Sequence, residues 1–450
     1  MDELRILTPG GMLGYGIDKD QLAKGLALSP HAITIDSGST DSGPHKLGLG
    51  AMTCSMAAYE RDIATLLEAG AQAGIPVYIS SAGGDGEGSH VDLFRDIVIS
   101  IARKQGRTLR TALIYADIDK DIVRQRLVAG RVSPLGPVAE LTSGDIDEAT
   151  AIVAQMGAEP FIEAQTLHGP LDLIITGRAY DPAPLAALGI ANGFDSALAW
   201  HMGKIMECGG LCAEPATSAI FGILRADSFE VEPLNAASRC TPISVAAHTL
   251  YEKTHPLLLA GPGGVLDLTD SRYEAVSDRR VRVSGSRFRP DDSYRVKLEG
   301  ACVEGYRAIA IMGARDRAFI AERDPLMAQA EASAQAHFDG VDYRLCWHRY
   351  GENGVLGELE PDMSADPKEI CLILEVQAET QDLANAVCGH IRSWLLHAPF
   401  PGRISTSGNI ASPFTPLEIP LGPSCRFSVY HLMDLETPTE LFPIKFEVLS

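Results

Sequence analysis

"VYISSAGGDGEGSHVDLF" (Val77–Phe94) reads as a strand, a glycine-rich turn and the start of a helix. An apolar run from Ile75 to Ser81 gives way to four glycines within six residues, and a helical pattern follows. In many proteins such a turn cradles a phosphate against the helix N-terminus. Here Asp85 and Glu87 stand in the turn, and both repel a phosphate. The dinucleotide spacing G-x-G-x-x-G needs glycine at 84, 86 and 89, but position 89 is serine. There is no G-x-x-x-x-G-K-[ST] and no G-x-S-x-G. The chain therefore carries no NAD or ATP motif, and the loop is either a structural turn or the wall of a different site.

Four more segments resemble the strand of this unit. They are Leu4–Pro9, Ala32–Asp36, Thr111–Asp117 and Leu171–Gly177, beside Pro76–Ser81 itself. Each is short and apolar without alternation, as strands covered on both faces are. Amphipathic stretches lie between them: Tyr59–Gly74, Val91–Gly106 and Asp145–Gly157, each ending on glycine. The order predicts an α/β fold whose N-terminal half is a doubly wound, mostly parallel, Rossmann-like sheet. Beyond about residue 215 the pattern turns to a mixed α/β region with strands in "RRVRVSGSRF" and "DSYRVKLEGACVEGYRAIAIMG". From Glu369 a strand, the helix "QDLANAVCGHIRSWLLH" and two strands predict a small α+β domain. The expected division is 1–365, made of 1–215 and 216–365, followed by 366–450, with the boundary in "DMSADPKE".

Composition narrows the function. Of 450 residues 46% are apolar and 22% charged, and 38 Lys+Arg against 59 Asp+Glu give −21. So acidic a chain argues against nucleic acid or an anionic membrane as partner. It leaves room for a small anionic substrate at a locally basic site. Nine scattered cysteines without C-x-x-C read as reduced thiols, and "MDELRILTPGG" lacks a signal peptide's basic and apolar regions. No apolar run reaches the roughly 18 residues of a membrane span. A cytoplasmic homo-oligomer is expected.

Ligands of open α/β sheets bind beyond the carboxyl ends of the strands. The residues there are Gly10, Gly11, Gly14 and Gly16 after the first strand, and Asp36, Ser37, Asp41, His45 and Lys46 after the second. Ser81, Gly83, Gly84, Asp85, Glu87 and His90 follow the third, Asp117 and Asp119 the fourth, and Arg178 and Asp181 the fifth. Parallel strands bring these to one rim, where acids and histidines supply proton transfer and Arg178 a carboxylate clamp. Singly, Asp36 and Asp41 equally suit turn caps, His45 and His90 structural roles, and the glycines tight turns. A second cluster is "AWHMGKIMECGG", where His201, Lys204 and Glu207 recur every third residue on one helix face. Glu207 is the better proton acceptor. Cys208 follows at a helix end, where the dipole raises a thiol's pKa. Asp36, Asp41, His45, Asp85, Glu87 and His90 also offer ligands to Mg, Mn or Zn, although no H-x-x-x-H or H-E-x-x-H supports a metal. Arg239, His248, Tyr251, Glu252, Lys297 and Glu299 are candidates for the far wall of a cleft.

The run "GAEPFIEAQTLHGPLDLIITGRAYDPAPLAAL" (Gly157–Leu188) and then "GFDSALAWHMGKIMECGG" (Gly193–Gly210) resembles the acyclic terpene utilisation, AtuA-like, family. Its "GR-x-x-D" corresponds to Gly177, Arg178 and Asp181, and its "GH-x-x-E-C-G" to Gly203–Gly209. The family's histidine is displaced, with His201 two residues before Gly203. The "SSAGG" loop and the "LYE…P" segment are similar as well. "TSGNIASPFTP" with "FSVYHLMDLETPTELFPI" resembles the small ferredoxin-like domain found with such proteins. The resemblance implies catabolism of acyclic terpenes and other small or branched carboxylic acids, often as CoA thioesters.

The combined expectation is a lyase, of hydratase type, acting on such an acid or its CoA thioester. Asp36, Asp41, His45 and Glu207 would be the acids and bases, with Cys208 an alternative nucleophile. Ser37, Ser81, Gly83, Gly84, Asp85, His90, Arg178, Asp181, His201 and Lys204 would line the substrate site. Hydrolysis or C–C cleavage through Cys208 or a metal-bound water, and a non-catalytic ligand- or partner-binding subunit, are the rivals.

Overall fold

The computed structural model describes residues 1–450 apart from 251–254, 363 and 365. Tyr251 and Glu252, two far-wall candidates, lie outside the described residues. The chain forms two compact units, Met1–Cys302 together with Phe427–Ser450, and Val303–Arg426.

The first unit begins β1 (Leu4–Thr8), α1 (Lys19–Ala27), β2 (Ala32–Asp36), α2 (His45–Leu49), α3 (Met56–Ala73), β3 (Val77–Ser80) and α4 (Gly88–Gln105). Then come β4 (Leu109–Ile114), α5 (Lys120–Val128), β5 (Val132–Pro134), α6 (Ser143–Glu148), β6 (Ala151–Ala154), α7 (Glu159–His168), β7 (Leu173–Thr176), α8 (Ala183–Ala191) and α9 (Ser196–Met206). It continues with β8 (Ile220–Leu224), β9 (Ser228–Pro233), α10 (Pro242–Thr249), β10 (Leu258–Gly261), β11 (Gly264–Asp267), β12 (Arg272–Ala275), β13 (Val281–Ser284) and β14 (Arg287–Pro290). The long β15 (Tyr294–Ala314) leads out of it.

The five strands expected from the sequence stand in the order β1-β2-β3-β7-β4, every neighbouring pair parallel. Antiparallel β8, β9, β13 and β12 extend this block beyond β1. Successive strand residues serve two cores, because side chains alternate across a sheet. Ile6, Tyr78 and Ile174 pack with Phe161, Leu185, Met202 and Ile205 of α7–α9. Leu7, Ile33, Ile79 and Ile175 pack with Ile63, Leu66, Phe94 and Val98 of α3 and α4. Both faces are thus covered by helices, which is why the strands carry no polar alternation. The result is a mixed α/β protein with parallel and antiparallel sheets. β10, β11 and β14 form a separate antiparallel sheet.

Two expectations meet a different outcome. Asp145–Gly157 is not one helix. Thr142 caps α6 through a reciprocal capping box with Asp145, and the helix ends at Glu148. The β-branched Ile152 and Val153 then join β6, which pairs antiparallel with Leu298–Ala301 of β15. The chain end also differs from a self-contained 366–450 domain. β19 (Ile444–Leu449) pairs antiparallel with β4 along its whole length, as the outermost strand of the ten-stranded sheet. Phe442 and Leu449 are buried there.

The second unit holds α11 (Arg317–Ala321), α12 (Arg323–His337), β16 (Tyr343–Tyr350), β17 (Ile370–Ala378) and α13 (Gln381–His397). β17 pairs antiparallel with β16 and with Tyr306–Ala314 of β15. Alternate residues of β17 join α12 and α13 in a core of this unit's own. β18 (Ile419–Leu435) carries the chain back to the first unit.

Candidate functional site

The turn after β3 is a packing device. Gly86 has φ +72, and a Cβ there would stand 2.1 Å from the Arg178 amide nitrogen. Its carbonyl accepts that amide at 3.0 Å. At the start of α4, Asp85 Oδ1 accepts the Glu87 amide at 3.2 Å and Asp117 Oδ1 accepts the Gly88 amide at 3.0 Å. The chain's own carboxylates thus take the donors that a phosphate would use. Asp85 Oδ1 also meets His90 Nδ1 at 2.6 Å. Burial pulls the His90 pKa down, but the bond to Asp85 and its charge outweigh this and set it above the ordinary value. Asp85, Glu87 and His90 have ligand atoms within 4.8 Å of one another. His90 meets Asp85 through one ring nitrogen and the Gly50 backbone through the other, so both nitrogens are engaged within the protein.

The rim beyond the parallel strands opens into two cavities that share Asp41, Asp181 and Glu207 as walls. One, about 770 Å³, is lined among others by Arg178, Tyr180, Lys204, Arg295, Lys297 and Tyr430. The other, about 730 Å³, is lined by the glycine turn after β1, Asp36, Gly38, Lys46, Cys208 and Leu211. Both have the size of small-molecule sites.

Asp36 ends β2 and is buried. Ser80 Oγ donates to its Oδ1 and the Gly38 amide to its Oδ2, each at 2.7 Å. Burial first, and the neighbouring Asp181 second, push its pKa well above the carboxylate range, against the pull of those bonds and of Arg178. Burial and the second carboxylate thus favour the protonated form of Asp36.

Arg178 is 1% exposed. Its Nε donates to Glu299 Oε2 at 2.8 Å, and its Nη1 to the Ala179 carbonyl at 2.9 Å and Asp181 Oδ1 at 3.1 Å. Glu299, on β15, is fully buried and also meets Lys297 Nζ at 2.5 Å and the Thr40 hydroxyl at 2.6 Å. Burial alone would raise Glu299, but Arg178 and Lys297 hold it down to about 2. Arg178 is thus committed to the protein's own carboxylates and does not suit the expected substrate clamp.

Lys204, in the last turn of α9, pairs with Glu207 just past its end. Lys204 stands directly after Gly203, where the family motif has histidine. Burial lowers its pKa, yet Glu207 more than restores it. Cys208 follows, half-buried, on the wall of the second cavity.

Asp36, Asp41, Arg178, Asp181, Lys204, Glu207 and Cys208 therefore come together. Gly10, Gly11, Gly16 and Lys46 join them on the second cavity and Lys297 on the first, whereas the remaining expected catalytic and substrate-binding residues line neither. His45 is exposed at the start of α2. Ser37, Gly83, Gly84, Asp85 and His90 are buried behind the rim. Ser81, at φ +51, sits behind Arg178 with its Oγ 3.4 Å from Nη1. His201 is fully buried, with Nδ1 2.7 Å from Ser286 Oγ and Nε2 3.3 Å from the hydroxyls of Thr249 and Tyr273. Burial lowers its pKa to about 3, so it is a neutral core histidine. Tyr180 and Tyr430 were not assigned from sequence. Tyr180 stands inside "GRAYDP", and that position was its signal. Tyr430 arrives from β18, 133 residues after Lys297, whose Nζ lies 3.4 Å from its hydroxyl.

The site-bearing chain belongs to a family known by sequence. The profile described as acyclic terpene utilisation family protein AtuA matches residues 55–417. The protein is thus a member of the AtuA family, which carries a role in acyclic terpene utilisation and is compatible with catabolism. No curated protein and no solved structure matches the chain. Among the described residues no helix is long and apolar enough to cross a membrane.

Proposed function

We propose that the protein is a catabolic lyase of hydratase type acting on a small or branched carboxylic acid or its CoA thioester. The observation that carries this reading is that buried Asp36, whose pKa burial and Asp181 push upward, and Glu207, ion-paired with Lys204, line the same substrate-sized cavity. Carboxyl groups whose surroundings separate their protonation states are the usual division between acid and base. In the dehydration direction Glu207 takes the proton from the carbon next to the carbonyl. The C–H pair becomes the new double bond, and the hydroxyl leaves from the neighbouring carbon as water with the Asp36 proton. Lys204 is ion-paired with Glu207 beforehand. Asp181 stabilises the protonated form of Asp36 until it is used.

The test is a panel of 2-enoyl and 3-hydroxyacyl compounds, as free acids and as CoA thioesters, incubated in D2O and followed by NMR. Wild-type protein is expected to hydrate or dehydrate at least one and to exchange its α-proton. Asp36→Asn, nearly isosteric, is expected to lose at least about a hundredfold in kcat with an unchanged melting temperature. Absence of turnover and exchange across the panel sinks the reading.

A further inference from the structure

Three buried cations, Lys46, Arg178 and Lys204, and the half-buried Lys297 reach the two cavities. Three of the four already hold carboxylates. Arg178 is bound to Glu299 and Asp181, Lys204 to Glu207, and Lys297 to Glu299. Burial and the neighbouring Asp181 disfavour a negative charge on Asp36. Of these four cations, Lys46 is the one without a carboxylate partner among the described residues. Its Nζ donates to the Ser39 carbonyl at 3.1 Å, and among the described residues no carboxylate lies within ion-pair distance. The nearest acids are otherwise engaged or in water. Asp85 Oδ1 meets His90, and Asp41 is exposed, accepting from Ser39 Oγ at 2.6 Å. Burial lowers the pKa of Lys46, the mark of an ammonium paying for its own desolvation.

A buried charge is costly unless paired, so a lysine kept in this position suits a ligand that brings the missing anion. We propose that Lys46, and not Arg178, receives the substrate's carboxylate, so that the ligand of the second cavity carries a free carboxylate group. This rests on the cavity being a site for a carboxylic acid. It goes further in separating the anchor from the acid–base groups. A carboxylate at Lys46 leaves the ligand's chain to run past Asp36 toward the walls both cavities share. Lys204 and Lys297 then keep their own partners.

The experiment reads binding, so it does not depend on turnover. Hexanoate and hexanamide, unreactive and differing in one charge, are titrated into the full-length protein by calorimetry and ligand-observed NMR. Wild type is expected to prefer hexanoate at least tenfold. Lys46→Met is expected to abolish the preference, Lys46→Arg to retain most of it, and Lys297→Met to leave it in place. Equal affinity for the two compounds, binding of neither, or loss of the preference in Lys297→Met but not in Lys46→Met each overturns the proposal. Preserved hexanoate preference with no activity in the enoyl panel sinks the lyase reading and leaves this one standing.

Discussion

Removing the Arg178 guanidinium would leave Glu299, fully buried, with Lys297 as its remaining cation among the described residues. Stripping one partner from a buried ion pair costs more than the pair ever contributed, because the orphaned charge stays desolvated. Arg178→Met is therefore expected to destabilise the first unit by about 3–5 kcal/mol, measured as a shift of the urea midpoint. Arg178→Met with Glu299→Gln should recover a good part of it. A substrate clamp would behave otherwise, raising KM at unchanged stability. The same pair gives a pH signature. Glu299 is held at about 2 against an ordinary 4.5, so the unfolded chain binds its proton more readily. Its stabilisation is complete above pH 4.5 and is lost as pH falls toward 2. The sequence showed Arg178 plainly in its motif, but its partner lies 121 residues further on. Nothing local announces such a pairing, and an arginine near acids reads equally as clamp or as counter-ion.

The element carrying most of the second motif, α9, buries one face against strands and the other against the cavity. His201 and Lys204 are one turn apart, yet one lies in the core and the other lines the cavity. The threefold spacing set them one turn apart. It could not tell that the face turns from core to cavity within that turn. Burial alone brings the His201 pKa from 6.5 to about 3. Between those values the unfolded chain is protonated there and the folded chain is not, so stability falls with falling pH. The slope is about 1.4 kcal/mol per pH unit for one proton. His248, lowered to about 4, adds to it between pH 6.5 and 4. His201→Gln keeps a donor and an acceptor without a titrating group. Its urea midpoint should change less than wild type's between pH 7 and pH 5, and an equal loss in both would refute the assignment.

The β3–α4 element makes the complementary case. Its strand, turn and helix were legible, since apolar run, glycines and amphipathic stretch each have a local cause. The role of the turn was not, because Gly86 answers to the backbone of the strand beside it. A methyl group at position 86 would lie 2.1 Å from the Arg178 nitrogen and would also force a residue with a side chain to φ +72. Gly86→Ala is expected to cost at least about 3 kcal/mol through overpacking and backbone strain. Because the displaced segment carries Arg178 and Asp181, any folded Gly86→Ala protein should also lose activity. Gly136→Ala, at φ +74 with nothing within 4 Å, removes a glycine at similar φ without that contact and serves as control.

At the scale of the molecule, the decisive fact is that the first unit is discontinuous in sequence. β19 supplies the outer strand next to β4, with Ile444–Leu449 matched residue for residue to Leu109–Ile114. Removing it uncovers an apolar strand edge, a template for pairing with other chains. The composition of "FPIKFEVL" marked a strand but not its partner, because parallel and antiparallel neighbours alike accept an apolar, β-branched segment. A strand–helix–strand order suggested a local domain, and only the register reveals that the chain has returned. The second unit stands differently. Its core residues, from Ala308 to Ile410, all come from its own continuous segment. The fragment 303–426 should therefore unfold cooperatively in urea with native-like circular dichroism. The fragment 1–365 lacks both β18 and β19 and should be aggregated or partly unfolded. Adding 427–450 back through a short flexible linker in place of 303–426 should restore a folded first unit together with its Lys297–Tyr430 contact. Were 1–365 to fold cooperatively by itself, β19 would be dispensable and the discontinuous first unit would not be the unit of folding.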